Sequence, residues 1–372
     1  MEIPGFVGPS NTLASPLADV ERTVNLFTER TEPGNATTAA YLRGTPGVVP
    51  YASCGDSPLR AAFAQDGRCF AVAGSRFVEI NTSTGAVVNY GPVALDSRPA
   101  SLASNGSAGN QVLIVSGGSG YIFDLGTNVL SAALGADFPA DALMCAFMDG
   151  YFLVLIRDSR RFQISALEDG TSWDALDVAE RSEGSDNIIS MIRSHREIWF
   201  LGSQTSEVWY DNGDPLFPFA PIQGVFLETG SAAPFSAVRA DNTIVWLDRD
   251  ERGAGVVRKA DGYTPTRIST YAVELALETS ADLSVAVAFA EQTQGHLFVW
   301  LLIPDLDTTW VFDVAEGLWH ERALWNPTAC VFEPHVACCH AFAGGRHLVG
   351  DRQSDTVYDL TLTAYADEVV VP

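Results

Sequence analysis

Residues 148–165 read MDGYFLVLIRDSRRFQIS. A tight turn, Asp149-Gly150, launches an apolar run, YFLVL; a polar break follows, and then a second run, FQIS. Short aromatic and β-branched runs cut by Gly, Asp and Asn are a strand-and-turn signature. The unit recurs. RCFAV (68–72), QVLIV (111–115), YFLVL (151–155), EIWFL (197–201), TIVWL (243–247), HLFVW (296–300) and RHLVG (346–350) each follow turn-like residues, with centres 40 to 53 residues apart. Roughly ten residues after each comes its partner: FVEIN, YIFDL, FQIS, EVWYD, GVVRKA, TWVFDV and TVYDL.

Five of the second runs end on a short polar residue: Asn81, Asp124, Asp211, Asp313 and Asp359. Such a side chain accepts hydrogen bonds from amides two residues on and stops a strand. A period of 40–50 residues with several strands per unit predicts an all-β protein, a β-propeller of about seven blades. The ambiguous ends also fit six or eight. Residues 1–50 carry Pro and Gly without the repeat and read as a partly extended N-terminal arm, from which a strand is a candidate to close one blade. The propeller is expected over 51–365, with irregular loop insertions near 169–188 and 211–236, and a tail at 366–372. The best helix candidate is 271–280, with Ser269 or Thr270 as N-cap.

Composition narrows the function. The chain has 372 residues, 47% of them hydrophobic, with 46 acids against 22 Lys and Arg, a net charge of −24. Gripping nucleic-acid phosphates needs a basic stripe, because neutralising phosphates supplies most of that affinity. An acidic chain is unsuited to it, but is compatible with a surface past which DNA slides. MEIPGFVGPS shows no basic n-region and no apolar h-region, so no signal peptide is expected. The most apolar run, LFVWLLI at 297–303, is too short for a membrane anchor. Cysteines 54, 69, 145, 330, 338 and 339 lack framework spacing and read as buried or free thiols in a reducing compartment.

No motif demands catalysis, a metal or a cofactor. FQISALEDGTSWDALDVA at 162–179 resembles the Asp-box turn of glycosidases. Aligned on Gly170 and Trp173, it places Ala166, Glu168 and Ser172 where the box has Ser, Asp and Thr. The box braces a blade hairpin even in glycosidases. DRDERG at 248–253 begins like a calcium loop, yet Arg252 and Lys259 stand where ligands belong. HVACCHAFAGGRH at 335–347 gathers soft ligands, but strand alternation sends Cys338 and His340 to one face and Cys339 to the other. GGSGYIF at 117–123 lacks the lysine and the helix of a phosphate loop.

Read end to end, the chain resembles the packaged-DNA stabilisation proteins of short-tailed bacteriophages, also called tail accessory, head-completion or nozzle proteins. RTVNLFTER (22–30), YLRGTPGVV (41–49), SALEDGTSWDALDVAE (165–180), DPLFPF (214–219), RISTYAVE (267–274), GHLFVWLLIP (295–304), TWVFDVAEGLWHER (309–322) and VYDL (357–360) carry the resemblance in order. It implies a virion tail protein, not an enzyme, assembled in the host bacterial cytoplasm into a homo-oligomeric ring of six. Such a ring sits on portal and adaptor proteins, retains packaged DNA, and lets the duplex leave through its lumen without sequence-specific binding. The family motif implied comprises Gly44, Pro46, Gly47, Gly170, Trp173, Asp174, Arg267, Ser269 and Thr270, with Trp173 and Asp174 locking a blade turn or a subunit contact. The chain is shorter than some relatives, which leaves attachment of a tailspike, fibre or needle open. Arg22, Arg43 and Arg267 are candidates to pair with carboxylates across subunits, or equally to be surface charges. Two rivals stand beside this reading: a phage propeller that binds or cleaves host-surface glycans, and a cellular propeller serving as an interaction platform.

Overall fold

Strands two and three of each repeat are buried on both faces, which is why they read as unbroken apolar runs and not as alternating ones. Glu197–Gly202 is buried at every position after the first, and Arg68–Ala73 behaves alike. The computed structural model describes residues 7–12, 20–31, 40–132, 134–364 and 366–369. Parts of the expected arm and the last residues of the tail lie outside these.

Seven four-stranded antiparallel blades follow one another. Blade one is Leu59–Gln65, Arg68–Ala73, Arg76–Ile80 and Val87–Pro92. Blade two is Ser101–Ser104, Gln111–Ser116, Ser119–Asp124 and Val129–Ser131. Blade three is Ala142–Met148, Tyr151–Ile156, Arg161–Ala166 and Asp169–Glu180. Blade four is Ile188–Ser194, Glu197–Gly202, Ser206–Asp211 and Phe219–Leu227. Blade five is Val238–Ala240, Thr243–Arg249, Gly255–Asp261 and Thr264–Arg267. Blade six is Val287–Thr293, His296–Leu302, Thr309–Asp313 and Leu318–Asn326, extended by Val331–Pro334. Blade seven takes Ala337–Ala343, Arg346–Asp351 and Thr356–Thr361 from the C-terminal end and Gly47–Ser53 from the N-terminal end, so the two ends of the chain close the ring.

The first strands of successive blades touch around the axis, and those of blades seven and one also meet. There is consequently no central core. The buried apolar residues fall into seven clusters, one wedged in each blade-to-blade junction. In the junction of blades one and two, for example, Phe70, Phe77 and Phe123 pack with ring centroids 5.1 to 5.6 Å apart. Each wedge needs both of its blades, which ties the stability of the whole to ring closure.

The polar stops work as expected in four places. Asn81, Asp124, Asp211 and Asp313 each accept from amides two or three residues on, at 2.6 to 3.3 Å. Asp359 differs: its carboxylate takes the Arg346 guanidinium across the hairpin. The helix is Tyr271–Glu278, in the link from blade five to six, and Thr270 is its N-cap by backbone conformation, with no side-chain cap bond.

The segments 169–188 and 211–236 need correction. Each contains the fourth strand of its blade, Asp169–Glu180 and Phe219–Leu227. These outermost strands are half-exposed and interrupted by register shifts, so they lack the apolar run that marks a buried strand. The arm is likewise more structured than an extended chain: Leu26–Arg30 and Ala40–Gly44 form a hairpin.

Candidate functional site

The motif residues lie in three places. At the seam, Gly44 ends the arm hairpin and Gly47 begins the strand that closes blade seven. A Cβ on Gly47 would stand 2.5 Å from the Ala366 carbonyl oxygen, so only glycine lets the tail lie on this strand. The carbonyl of Pro46 accepts from Arg322 Nη2 at 2.8 Å. That guanidinium is fully buried, lies 4.6 Å from the centre of the Trp300 ring, and has Asp367 Oδ1 of the tail at 3.8 Å. Asp367 Oδ1 in turn accepts from the Val48 amide at 3.1 Å. Alongside, residues 23–25 add to the outer strand of blade six. Asn25 exchanges side-chain bonds with the backbone of Ala323 at 2.8 and 3.1 Å, and Glu321 N donates to Thr23 O at 2.9 Å. The arm thus covers an otherwise open sheet edge.

The second place is the outer hairpin of blade three. Gly170 N donates to Gln111 Oε1 of blade two at 2.8 Å, and a Cβ there would stand 2.6 Å from Ile122 Cδ1. Trp173 is buried beside Phe138, centroids 5.0 Å apart and nearly perpendicular, and its Nε1 donates to the Gly170 carbonyl at 2.7 Å. Asp169 Oδ1 accepts from Thr171 N at 2.9 Å and from Thr171 Oγ1 at 2.7 Å. The resemblance of this stretch to an Asp-box therefore resolves into a turn brace between blades two and three. Asp174 is exposed; its carboxylate accepts from the Leu176 amide at 2.9 Å and its carbonyl from Gln163 Nε2 at 2.8 Å, within a bulge that leaves Leu176 85% exposed.

In the third place, Ser269 Oγ accepts from Val257 N at 3.1 Å and donates to Glu274 Oε1 at 2.6 Å, while Arg267 clamps the same carboxylate. Among the described residues Arg22, Arg43 and Arg267 all pair within the chain, with Glu321, Glu29 and Glu274. Each guanidinium thus has a nearby carboxylate of its own.

Five of the six histidines gather at blades six and seven. Burial pushes His320 down to about 3, helped by Arg322 and His296, and pushes His340 down to about 4, helped by His347. His335 is lowered too, by burial first. These rings are held neutral in the fold. The soft-ligand stretch is split by a register shift at Ala337/Cys339: Cys338 Sγ donates to the carbonyls of Leu59 and Gly350, and His340 Nε2 meets His347 Nδ1 at 3.1 Å.

The axial cavity of the propeller is about 230 Å³ and is lined by Phe63, Leu102, Met144, Phe235, Val287 and Phe289 among others. At about 30 Å³ per water it has room for roughly eight waters. A duplex whose major groove alone is about 12 Å wide cannot enter. Any DNA path must run outside the single propeller.

Sequence reasoning missed the closure network of Asn25, Arg322, His335 and Asp367. One signal was present: His320-Glu321-Arg322 is a polar triplet with apolar residues on both sides in one strand, which implies buried polar partners.

Solved structures share the fold. The extracellular domain of BT4673 from B. thetaiotaomicron matches with a TM-score of 0.55 and 6% identity, over 85% of this chain and 40% of that one. A chain of the S. cerevisiae dbp5 complex with nup159 and gle1 matches with a TM-score of 0.52 and 8% identity, over 91% and 96%. The N-terminal domain of Nup159 matches with a TM-score of 0.51 and 10% identity, over 91% and 98%. No curated protein matches the chain. The family model described as Bacteriophage P22 Gp10, beta-propeller, matches residues 20–365, which include all seven blades and the described strands of the arm from Val20 onward; the chain belongs to this phage stabilisation family and is a phage structural protein.

Proposed function

We propose that the chain is the nozzle subunit of a short tail, closing the portal–adaptor exit, retaining packaged DNA and forming the channel by which it leaves. Family membership over residues 20–365 carries the reading. The narrow axis supports one geometric consequence: the channel is the lumen between copies, not the bore of a propeller. A closed ring uses heterologous contacts repeated by rotation, and the resemblance gives six copies. The exposed Leu176 in the blade-three bulge and Leu216, 88% exposed between the third and fourth strands of blade four, are contact candidates, with the arm. Partners are the adaptor and portal proteins, and a tail fibre or tailspike is a further candidate. Assembly takes place in the bacterial cytoplasm.

Charge gives the lumen its physical character. Six copies would place on the order of −144 on one ring. DNA beside such a wall meets repulsion with no favoured resting site, over a range of about 8 Å at physiological salt. The ring is a low-friction conduit. Electron cryomicroscopy of the virion tail tests the placement: six propellers around the exit support it, and their absence there refutes it. Replacing lumen acids by Asn or Gln should slow ejection, and unchanged ejection kinetics would count against the conduit.

A further inference from the structure

Antiparallel blades put the turns between strands one and two on the same face as those between strands three and four. On that face the first turns of blades one, three, six and seven are built alike: Asp66-Gly67, Asp149-Gly150, Gln294-Gly295 and Gly344-Gly345, with φ positive at both central residues. This is the hairpin chemistry that glycine makes inexpensive. Blades four and five depart from it. Their tips are His195-Arg196 and Asp241-Asn242, and in each only the first residue, His195 or Asp241, has positive φ, +56° in both. The left-handed first residue is common to all six tips; what these two lack is the glycine that follows it, which leaves the Arg196 and Asn242 side chains at the tip. The two tips also join, His195 Nε2 to Asn242 Oδ1 at 2.7 Å.

Between these tips lies a cleft of about 510 Å³. Its wall is aromatic: Tyr263, 40% exposed, stands with its ring centroid 5.9 Å from that of Trp199. The Tyr263 hydroxyl donates to Glu197 Oε1. Asp241 and Asp261 add further acceptors, while the amide nitrogen of Asn242, whose oxygen takes His195, and Lys259, the single lysine of the chain, supply donors. Past His195 and Glu197 the groove continues to Tyr210 and Gln223.

We propose that this cleft binds a neutral, hydroxyl-rich ligand, a short saccharide. Three carboxylates against one lysine disfavour phosphate, nucleic acid or a sialylated glycan. Lys259 inside the same cleft disfavours a simple cation. A neutral sugar uses both halves of such a set: its hydroxyls donate to carboxylates and accept from amide and ammonium, and its C–H face lies on a tyrosine ring. The volume is within the range of small-molecule sites. The proposal is one of binding, and it stands whether or not the nozzle reading holds.

Saturation-transfer NMR on the purified full chain, with maltotriose, cellotriose, chitotriose and mannotriose as probes, tests it. At least one trisaccharide should receive saturation, and both Tyr263→Ala and Asn242→Ala should weaken it by about tenfold or more, with melting curves that superimpose on the parent's. Because Tyr263 also bonds Glu197, Tyr263→Phe checks that the ring and not the fold is responsible: it should retain most of the binding. The proposal is overturned if no trisaccharide binds, if binding survives both alanine variants, or if sialyllactose or a tetralysine peptide binds the cleft in their place.

Discussion

Replacing Trp173 separates a turn brace from a surface used in assembly. Trp173→Ala removes a buried indole from the junction of blades two and three, where it packs against Phe138 and joins a cluster with Phe152 and Ile122. Truncations of this kind cost about 3–5 kcal/mol. The Gly170 carbonyl also loses its donor, which contributes about 1 kcal/mol of that loss. For 372 residues the unfolding entropy is about 0.8 kcal/mol/K, so a loss of about 4 kcal/mol lowers the midpoint by about 5 °C. Trp173→Phe keeps a six-membered aromatic ring but loses the N–H and the rest of the indole, and should cost less than the alanine change, about 1–3 kcal/mol. Asp174→Ala removes one exposed turn bond and should change stability by no more than about 0.5 kcal/mol. Calorimetry of the three variants checks the order. If Trp173→Ala melted with the parent while purified chains no longer assembled, the brace would be refuted and the indole would belong to a subunit contact.

Other perturbations reach other parts of the molecule. Arg22→Ala strands the buried Glu321 carboxylate and should cost about 3 kcal/mol; urea titration measures it, and the added change Glu321→Gln should restore part of the loss. Acid should weaken the seam of blades six and seven. His320 and His340 are lowered by burial to about 3 and about 4, so their stabilisation is complete above the unfolded value near 6.5 and is lost as pH falls toward those values. Between pH 7 and pH 5 each loses about 2 kcal/mol, and melts of the parent beside His340→Gln should show a shallower acid loss in the variant. Leu176→Asp with Leu216→Asp should abolish ring formation in sedimentation while leaving the midpoint unchanged, because both side chains are exposed.

The blades were legible because strands buried on both faces leave apolar runs at a fixed period. Their edges were not. Asp169–Glu180 hides behind a bulge and six exposed positions. A closing strand from the arm was expected, but not its position: Gly47–Ser53 contains Pro50, which argues against a central strand and is tolerated because this strand lies at a blade's outer edge, where the register shifts opposite Val357 and Tyr358. The turn stops were readable since each acts within three residues. The partner of Arg22 was not, because Arg22 to Glu321 spans almost the whole chain and only ring closure brings them together. The blade four and five cleft has a sequence trace, His195-Arg196 and Asp241-Asn242 where other repeats have a glycine. That contrast acquires meaning only after the turns are superposed on one face.

Particles assembled without this chain, imaged by electron microscopy and assayed for encapsidated DNA, test the nozzle directly. The account predicts heads of full size that have lost their genome, with retention restored by supplying the protein. Heads that stay full and deliver DNA normally would contradict it.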